Sequence, residues 1–346
     1  MKIIFKAIKH FLILFCLMLL IAGCTTWKLG SAGQKKISGK TYVIVGASSG
    51  IGRGVAEQLG RYNANVVLAA RRTDLLEEIA NVIRKNGGKA IVVTMDISKP
   101  EDLEQVANAA VKEYAGIDVW INMAGVAALG RFWDIPVEDQ ARVIDVNLKG
   151  FLYGSRVAVK QFIKQRQGVL INMGSVESEV PLAYQLSYSA SKAGVRSLGL
   201  ALSQELRLNG YDNIKVVTIE PWAIDTPLWR HAANYSGVEP KMALMDEPEK
   251  VVNAVLRKSL RPSKIVPVGW KAKGSSLFAN VFPRFSEWFG GNLSHKYQIE
   301  MGPAAPDTSG SIYQPVPQGR GIDDGADERM KQNNKEGKDK LNKAPN

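Results

Sequence analysis

Between residues 41 and 270, short continuous runs of Val, Ile, Leu and Ala alternate with longer segments whose apolar residues recur at helical spacing. The runs are Thr41 to Val45, Asn65 to Ala70, Ala90 to Met95, Ile117 to Asn122, Val169 to Met173, Ile214 to Ile219 and Ile265 to Val268. The helical segments are 50–61, 74–86, 101–115, 137–166, 187–209 and 248–260. Strands that are apolar throughout must be covered on both faces, and right-handed crossovers put the helices there. The alternation therefore predicts an α/β domain with a doubly wound, seven-stranded parallel sheet flanked by helices. Ser98-Lys99-Pro100-Glu101 has the form of a capping box with proline in the first turn, which predicts the start of the third helix.

Of the 346 residues, 45% are hydrophobic and 23% charged, a globular balance that excludes a wholly disordered or collagen-like chain. The net charge of +12 is uneven: residues 1–40 hold seven lysines and no acid, whereas residues 301–346 hold seven basic and seven acidic side chains. Only +5 remains for residues 41–300, so the basic charge points to a membrane and not to nucleic acid. The cysteines, Cys16 and Cys24, both precede the domain, which leaves it no disulfide framework and no thiolate zinc site. His10, His231 and His295 are far apart, so neither a histidine metal centre nor a Ser-His-Asp triad is expected.

Lys2, Lys6 and Lys9 precede an apolar run from Phe11 to Ala22, which Gly23 and Cys24 follow. About a dozen apolar residues suit a secretory signal, whereas a full span needs about 20. Ile21-Ala22-Gly23-Cys24 resembles the lipobox of bacterial lipoproteins, whose cysteine is acylated, although Thr25 and not aspartate comes next. An uncleaved anchor and a plain signal are the other readings of residues 1–24. The lipobox and anchor readings attach the chain to a membrane, on a side that lysines at both flanks leave open. Residues 25–40, rich in Gly, Ser and Lys from Ser31 onward, read as a flexible tether.

The first strand runs into Gly46-Ala47-Ser48-Ser49-Gly50-Ile51-Gly52, which opens the first helix. Glycines here let the backbone turn tightly against a pyrophosphate, which the free amides and dipole of the helix N-terminus attract. An NAD site would end the second strand with an acid for the ribose diol, but this chain has Ala70, Arg71 and Arg72. Guanidinium groups suit a 2′-phosphate, so NADP(H) is favoured and NAD(H) disfavoured. Tyr188 and Lys192 share one helix face, about 6 Å apart along the axis. Tyr211 and Lys215 have the same spacing. Ser175 precedes Tyr188 by thirteen residues at a strand end, whereas Leu198 stands thirteen before Tyr211, which lies beside Gly210 and Asp212 in a turn.

The glycine turn, Asn122-Met123-Ala124-Gly125, Asn147, Ser175 and the pair Tyr188/Lys192 resemble, in this order and spacing, the short-chain dehydrogenase/reductase family over about residues 40–270. The resemblance implies a Rossmann fold, a nicotinamide cofactor and a catalytic set of Asn147, Ser175, Tyr188 and Lys192. It further implies that Asp96 with Ile97 meets the adenine, that Asn122, Ala124 and Gly125 flank the ribose, and that Pro221, Trp222 and Thr226 lie near the nicotinamide. Asp96 equally suits a cap on its own turn. The residue types fit the chemistry, because hydride transfer to a carbonyl builds charge on oxygen that a nearby acid must protonate. Tyrosine, with an ordinary pKa of about 10, needs a neighbouring ammonium to serve as a base in reverse, and Lys192 is expected to lower it. Ser175 can hold the same oxygen, and the resemblance gives Asn147 a water that links Lys192 to a proton relay. Three residues depart from the family pattern: Val45 replaces a threonine before the turn, Met123 a second asparagine, and Trp222 a glycine.

Trp222, Leu228, Trp229 and Met242 fall on the segment over the active site, an apolar lid that suggests a hydrophobic alcohol or carbonyl substrate. In residues 271–300, Phe278, Phe282, Phe285, Trp288 and Phe289 form a helical stripe interrupted at Pro283. Packing on the core or on a partner subunit is the favoured reading of that stripe, with a membrane surface and the substrate mouth as alternatives. Residues 301–346, rich in Pro, Gly, Asp, Asn and Lys, read as a disordered tail. The chain thus reads as an NADP(H)-dependent oxidoreductase interconverting an alcohol and a ketone or aldehyde. A weakly catalytic, cofactor-binding sensor on the same fold is the rival. The resemblance also implies a homodimer or homotetramer built through 137–166 and 187–209.

Overall fold

A computed structural model describes residues 28–329, apart from 241, 243, 326 and 327. The expected lipidation site at Cys24 and the apolar run before it lie outside the described residues. The strands in chain order are β1 Thr41–Val45, β2 Asn65–Ala70, β3 Lys89–Thr94, β4 Val119–Asn122, β5 Ala128–Gly130, β6 Gly168–Met173, β7 Ile214–Pro221, β8 Ala233–Tyr235 and β9 Ile265–Val268. Seven of them form one parallel sheet in the order β3-β2-β1-β4-β6-β7-β9, with β5 and β8 paired separately. All of β1 is buried, as a central strand covered on both sides must be.

The strand order reverses between β1 and β4, and ligands of open α/β sheets bind beyond the strand ends at such a point. The register makes that crevice. Val45 is level with Ala69 of β2 and Asn122 of β4, so the glycine turn, Arg71 and Met123 all leave the sheet at one edge.

Elements between the strands start and end close to the expected positions, with local exceptions. The expected helix 137–166 is two α-helices, Val137–Ile144 and Gly150–Gln165, joined by a π-helical turn Asp145–Lys149 that carries Asn147. Helix Pro100–Tyr114 begins as predicted, but the capping box does not form. Ser98 Oγ instead donates to Asp96 Oδ1 at 2.8 Å, and the Asp102 carboxylate accepts the Asp96 N–H at 2.8 Å. The expected tether contains a helix, Ser31–Ile37, because Ile37 inserts into the core and fixes it there.

Beyond β9 come helices Gly269–Val281 and Pro283–His295, broken where Pro283 starts a new first turn. The aromatic stripe is not packed into the core: its five rings are 40% to 62% exposed. The expectation of a disordered tail from residue 301 fails for its described part, which passes beside the glycine turn and the end of β2 with Ile312 fully buried. Backbone carbonyls accepting from arginines hold much of this strap, and those bonds leave no side-chain signature in composition.

Candidate active site

The glycine turn is compressed between β1 and the loop after β4. Gly46 has φ +100°, and a Cβ there would lie 2.5 Å from the Ala124 nitrogen. A Cβ on Gly52 would lie 2.1 Å from the Gly46 oxygen. Only bare backbone fits, which leaves the N-terminus of helix Gly50–Arg61 facing a cavity of about 240 Å³. This cradle, which a Cβ would fill, fits a dinucleotide phosphate.

The residues expected at the cofactor converge on that one cavity. Gly46, Ser48, Ser49, Gly50, Ile51, Gly52, Arg71, Arg72, Asp96, Ile97, Ala124, Gly125, Tyr188, Lys192, Pro221, Trp222 and Thr226 all line it. Asn122 does not. Its fully buried amide accepts from Trp120 Nε1 at 2.7 Å and donates to Asn172 Oδ1 at 2.8 Å, joining β4 to β6 inside the sheet. The ribose role expected of Asn122 is therefore corrected to a structural one. Asp96 serves both its turn and an ion pair, with Oδ1 accepting the Ser98 N–H at 3.0 Å and Oδ2 lying 2.8 Å from Arg142 Nη2.

Both candidate phosphate-binding arginines are engaged. Arg71 donates to Tyr313 O at 2.9 Å and Ser311 O at 2.8 Å. Arg72 donates to Ser49 Oγ at 2.6 Å and to Gly319 O at 3.3 Å, bracing the glycine turn against the strap. The Gly50 N–H, at the helix start, donates to Gly321 O at 2.8 Å. Ser311, Pro315 and Val316 complete one wall of the cavity. Nothing in the sequence pointed to them.

Across the cavity stand the catalytic candidates. Ser175 follows β6 by two residues, and its hydroxyl accepts the Glu177 N–H at 3.2 Å. Tyr188 lies in the first turn of helix Leu186–Leu208 with Lys192 one turn on. Lys192 Nζ sits 5.5 Å from the Tyr188 ring centre and donates to Met173 O at 2.8 Å. Burial lowers the Lys192 pKa to about 8, opposed by the charge of Glu177. The Tyr188 phenol is raised, not lowered: burial dominates, Glu177 adds to it, and the Ser175 hydrogen bond only opposes. Burial and the Glu177 charge outweigh the lowering expected from Lys192, whose ammonium donates to Met173 O.

Asn147 is fully buried beside this pair. Its side chain accepts the Val126 N–H at 2.9 Å and donates to Val126 O at 2.8 Å and Ser191 Oγ at 3.2 Å. It thereby pins the loop after β4 to the catalytic helix.

Sequence reasoning missed Glu177. Its buried carboxyl lines the cavity and accepts from Ser189 Oγ at 2.5 Å, and burial pushes its pKa up to about 7. The available signal was an acid two residues after Ser175, at the end of a buried strand. The lid residues Trp222, Leu228, Trp229 and Met242 all line the cavity, and so does Gln185. Gln185 Nε2 and Trp222 Nε1 are buried donors without a partner. Among the described residues no group of His, Cys, Asp and Glu could hold a metal.

Fold and site together define a nucleotide-binding oxidoreductase, and the chain belongs to the short chain dehydrogenase family, whose pattern matches residues 40–235. It is 31% identical over 282 residues to an uncharacterized oxidoreductase, YxnA, of Bacillus subtilis, covering 81% of this chain and 79% of that one. It is 35% identical over 209 residues to 3beta-hydroxysteroid dehydrogenase 1 of Eggerthella lenta, covering 60% of this chain and 78% of that one. A short chain dehydrogenase/reductase of Burkholderia phymatum, solved in complex with NAD, superimposes with a TM-score of 0.55 at 26% identity, over 71% of this chain and 86% of that one.

Proposed function

We propose that the protein interconverts a hydrophobic alcohol and its ketone or aldehyde with NADP(H), using Tyr188 as general acid and base. The observation that carries this reading is that Ser175, Tyr188 and Lys192 line the same cavity as the glycine turn, with Lys192 Nζ 5.5 Å from the Tyr188 ring centre. Ser175 and Tyr188 would grip a substrate oxygen between them. In reduction the phenol gives that oxygen its proton, and in oxidation the phenolate takes one away, with Lys192 as the nearest cation. The dinucleotide, when bound, supplies or accepts the hydride. Gly46, Ser49 and Ile51 would hold its phosphates, and Ala124, Gly125 and Thr226 would flank its nicotinamide half.

Preference for NADP(H) rests on two guanidinium groups, and no carboxylate, at the end of β2. Their present partners on the strap are neutral carbonyls, and a phosphate forms bonds roughly twice as strong, so it displaces them. A hydrophobic substrate is supported by the lid of Trp222, Leu228, Trp229 and Met242, and Gln185 and Trp222 offer unused donors for a second oxygen. Two measurements test the reading. Tyr188→Phe should keep the fold and cofactor binding while kcat falls about 10²-fold to 10⁴-fold. Arg71→Ala should weaken NADPH binding by about 10-fold or more and leave NADH binding unchanged. Full turnover in the first variant, or equal losses for both cofactors in the second, refutes the corresponding assignment.

A further inference from the structure

Apart from the chemistry, we propose that the helical pair Gly269–Val281 and Pro283–His295 lies flat on an anionic lipid surface. Trp270, Phe278, Phe282, Phe285, Trp288 and Phe289 project from these helices, 40% to 62% exposed. Five of the rings form one patch: Phe285 lies 5.7 Å from Phe278 and Trp288 and 6.3 Å from Phe289, and Phe278 lies 5.4 Å from Phe282, centre to centre. A contiguous aromatic face of this kind is seldom left to water. The opposite side of the pair is fixed to the domain. Asn280 donates to Glu179 at 2.9 Å, Lys271 to Asp246 at 2.9 Å, and Tyr184 Oη lies 2.6 Å from His295 Nδ1.

Two features choose lipid as the occupant. The first is charge: apart from Lys271, which Asp246 holds, residues 269–296 carry Lys273, Arg284 and Lys296 against the single acid Glu287. Aromatic rings with basic neighbours match the headgroup boundary of an anionic leaflet, which attracts Lys and Arg. The second is where the rest of the chain begins. The lysine-flanked apolar run Phe11 to Ala22 precedes Lys28, which pairs with Glu249 at 3.0 Å. The neighbouring Lys250 pairs with Asp246 at 2.7 Å, and the same carboxylate holds Lys271, next to Trp270. A leader seated in a bilayer therefore enters the fold beside the start of the aromatic face. The other end of that face meets the cavity: Gly290 stands against Leu182, a cavity residue, and His295 against Tyr184. Docked this way, the protein takes an apolar substrate directly from the lipid.

The test uses the full chain reconstituted into phosphatidylcholine vesicles, with and without phosphatidylglycerol, whose acyl chains are brominated. Trp270→Phe with Trp288→Phe keeps ring packing and removes two reporters. Wild type should show lipid quenching that grows with phosphatidylglycerol, and the double variant should lose most of it. Equal quenching in both proteins means that only the leader meets lipid, and overturns the proposal. Quenching that ignores phosphatidylglycerol overturns its anionic part. Phe282→Asp with Phe285→Asp supplies the third reading: a wild-type dimer that becomes a monomer in sedimentation, with quenching unchanged, assigns the face to a second copy and also overturns the proposal.

Discussion

Ile312 is the position at which the strap over the cofactor cavity can be released without touching the cavity itself. Its side chain is fully buried, and cutting a buried isoleucine to alanine costs about 2–5 kcal/mol. What remains is polar: carbonyls of Ser311 and Tyr313 on Arg71, of Ile312 on Arg142 and of Gly319 on Arg72, Tyr313 Oη on Asp139 at 2.9 Å, and ion pairs of Arg320 with Asp74 and of Asp324 with Arg230. Hydrogen bonds to charged donors contribute about 1.5–3 kcal/mol each, against about 1–2 kcal/mol for every residue kept ordered. The hold is a small difference between these, so Ile312→Ala should free the strap locally and leave the sheet intact. The readout is hydrogen exchange at the Gly50 amide, which donates to Gly321 O at 2.8 Å. At tenfold for each 1.4 kcal/mol, its protection should fall about 30-fold to 4,000-fold, and NADPH should associate and dissociate faster. Unchanged protection at Gly50, with amides of the central strands exchanging faster, would show that Ile312 supports the whole fold and refute the reasoning.

Gly46→Ala should abolish cofactor binding, because its φ of +100° and the 2.5 Å approach of the Ala124 nitrogen leave a Cβ no room; calorimetric titration with NADPH checks it. Asn122→Ala should lower stability by about 1–3 kcal/mol in denaturant titration, by stranding Trp120 Nε1 and Asn172, with the KM for cofactor unchanged. Glu177 has a raised folded pKa, so its stabilising contribution is complete below pH 4.5 and is lost as pH rises through about 7. Glu177→Gln, which still accepts from Ser189, should therefore melt higher than wild type above pH 7 and not at pH 4. Lys192 is depressed to about 8, so its ammonium, and with it any step that needs the cation, should fade as pH climbs past 8 in a rate profile.

Strands and helices were legible because burial on both sides of a parallel sheet leaves continuous apolar runs, and six glycine-turn residues reached the cavity because strand, turn and helix are local in sequence. Tyr188 and Lys192 were legible for the same reason, one helix turn apart. Asn122 was misassigned because its role depends on lateral register: Asn172 faces it only once β4 and β6 align, as the pairing of Asn122 with Asn172 shows. The lowered tyrosine pKa failed on direction, since spacing places Lys192 near the ring but does not reveal the burial and the Glu177 carboxyl that raise the phenol. The strap was invisible for a third reason. Many of its bonds run from arginines to main-chain carbonyls, which any residue supplies, and its apolar residues, Ile312, Val316 and Ile322, recur at no helical or strand period.

Three buried titratable groups share the catalytic end of the cavity, and burial drives each toward its neutral form: a protonated phenol at Tyr188, a carboxyl at Glu177 near pH 7, an ammonium at Lys192 held only to about pH 8. A phenol held protonated is an acid, which suits delivery of a proton to a carbonyl oxygen. The reverse reaction needs phenolate, and the carboxylate of Glu177 opposes it while the hydrogen bond from Ser175 favours it. Positive charge brought into the cavity next to the phenol relieves the first of these, and its effect is greatest where no carboxylate already neutralises it. On the proposed chemistry a phenol kept protonated by burial favours reduction. Oxidation depends on cationic charge arriving with the oxidised dinucleotide, and Glu177 sets how much of that charge the phenol feels.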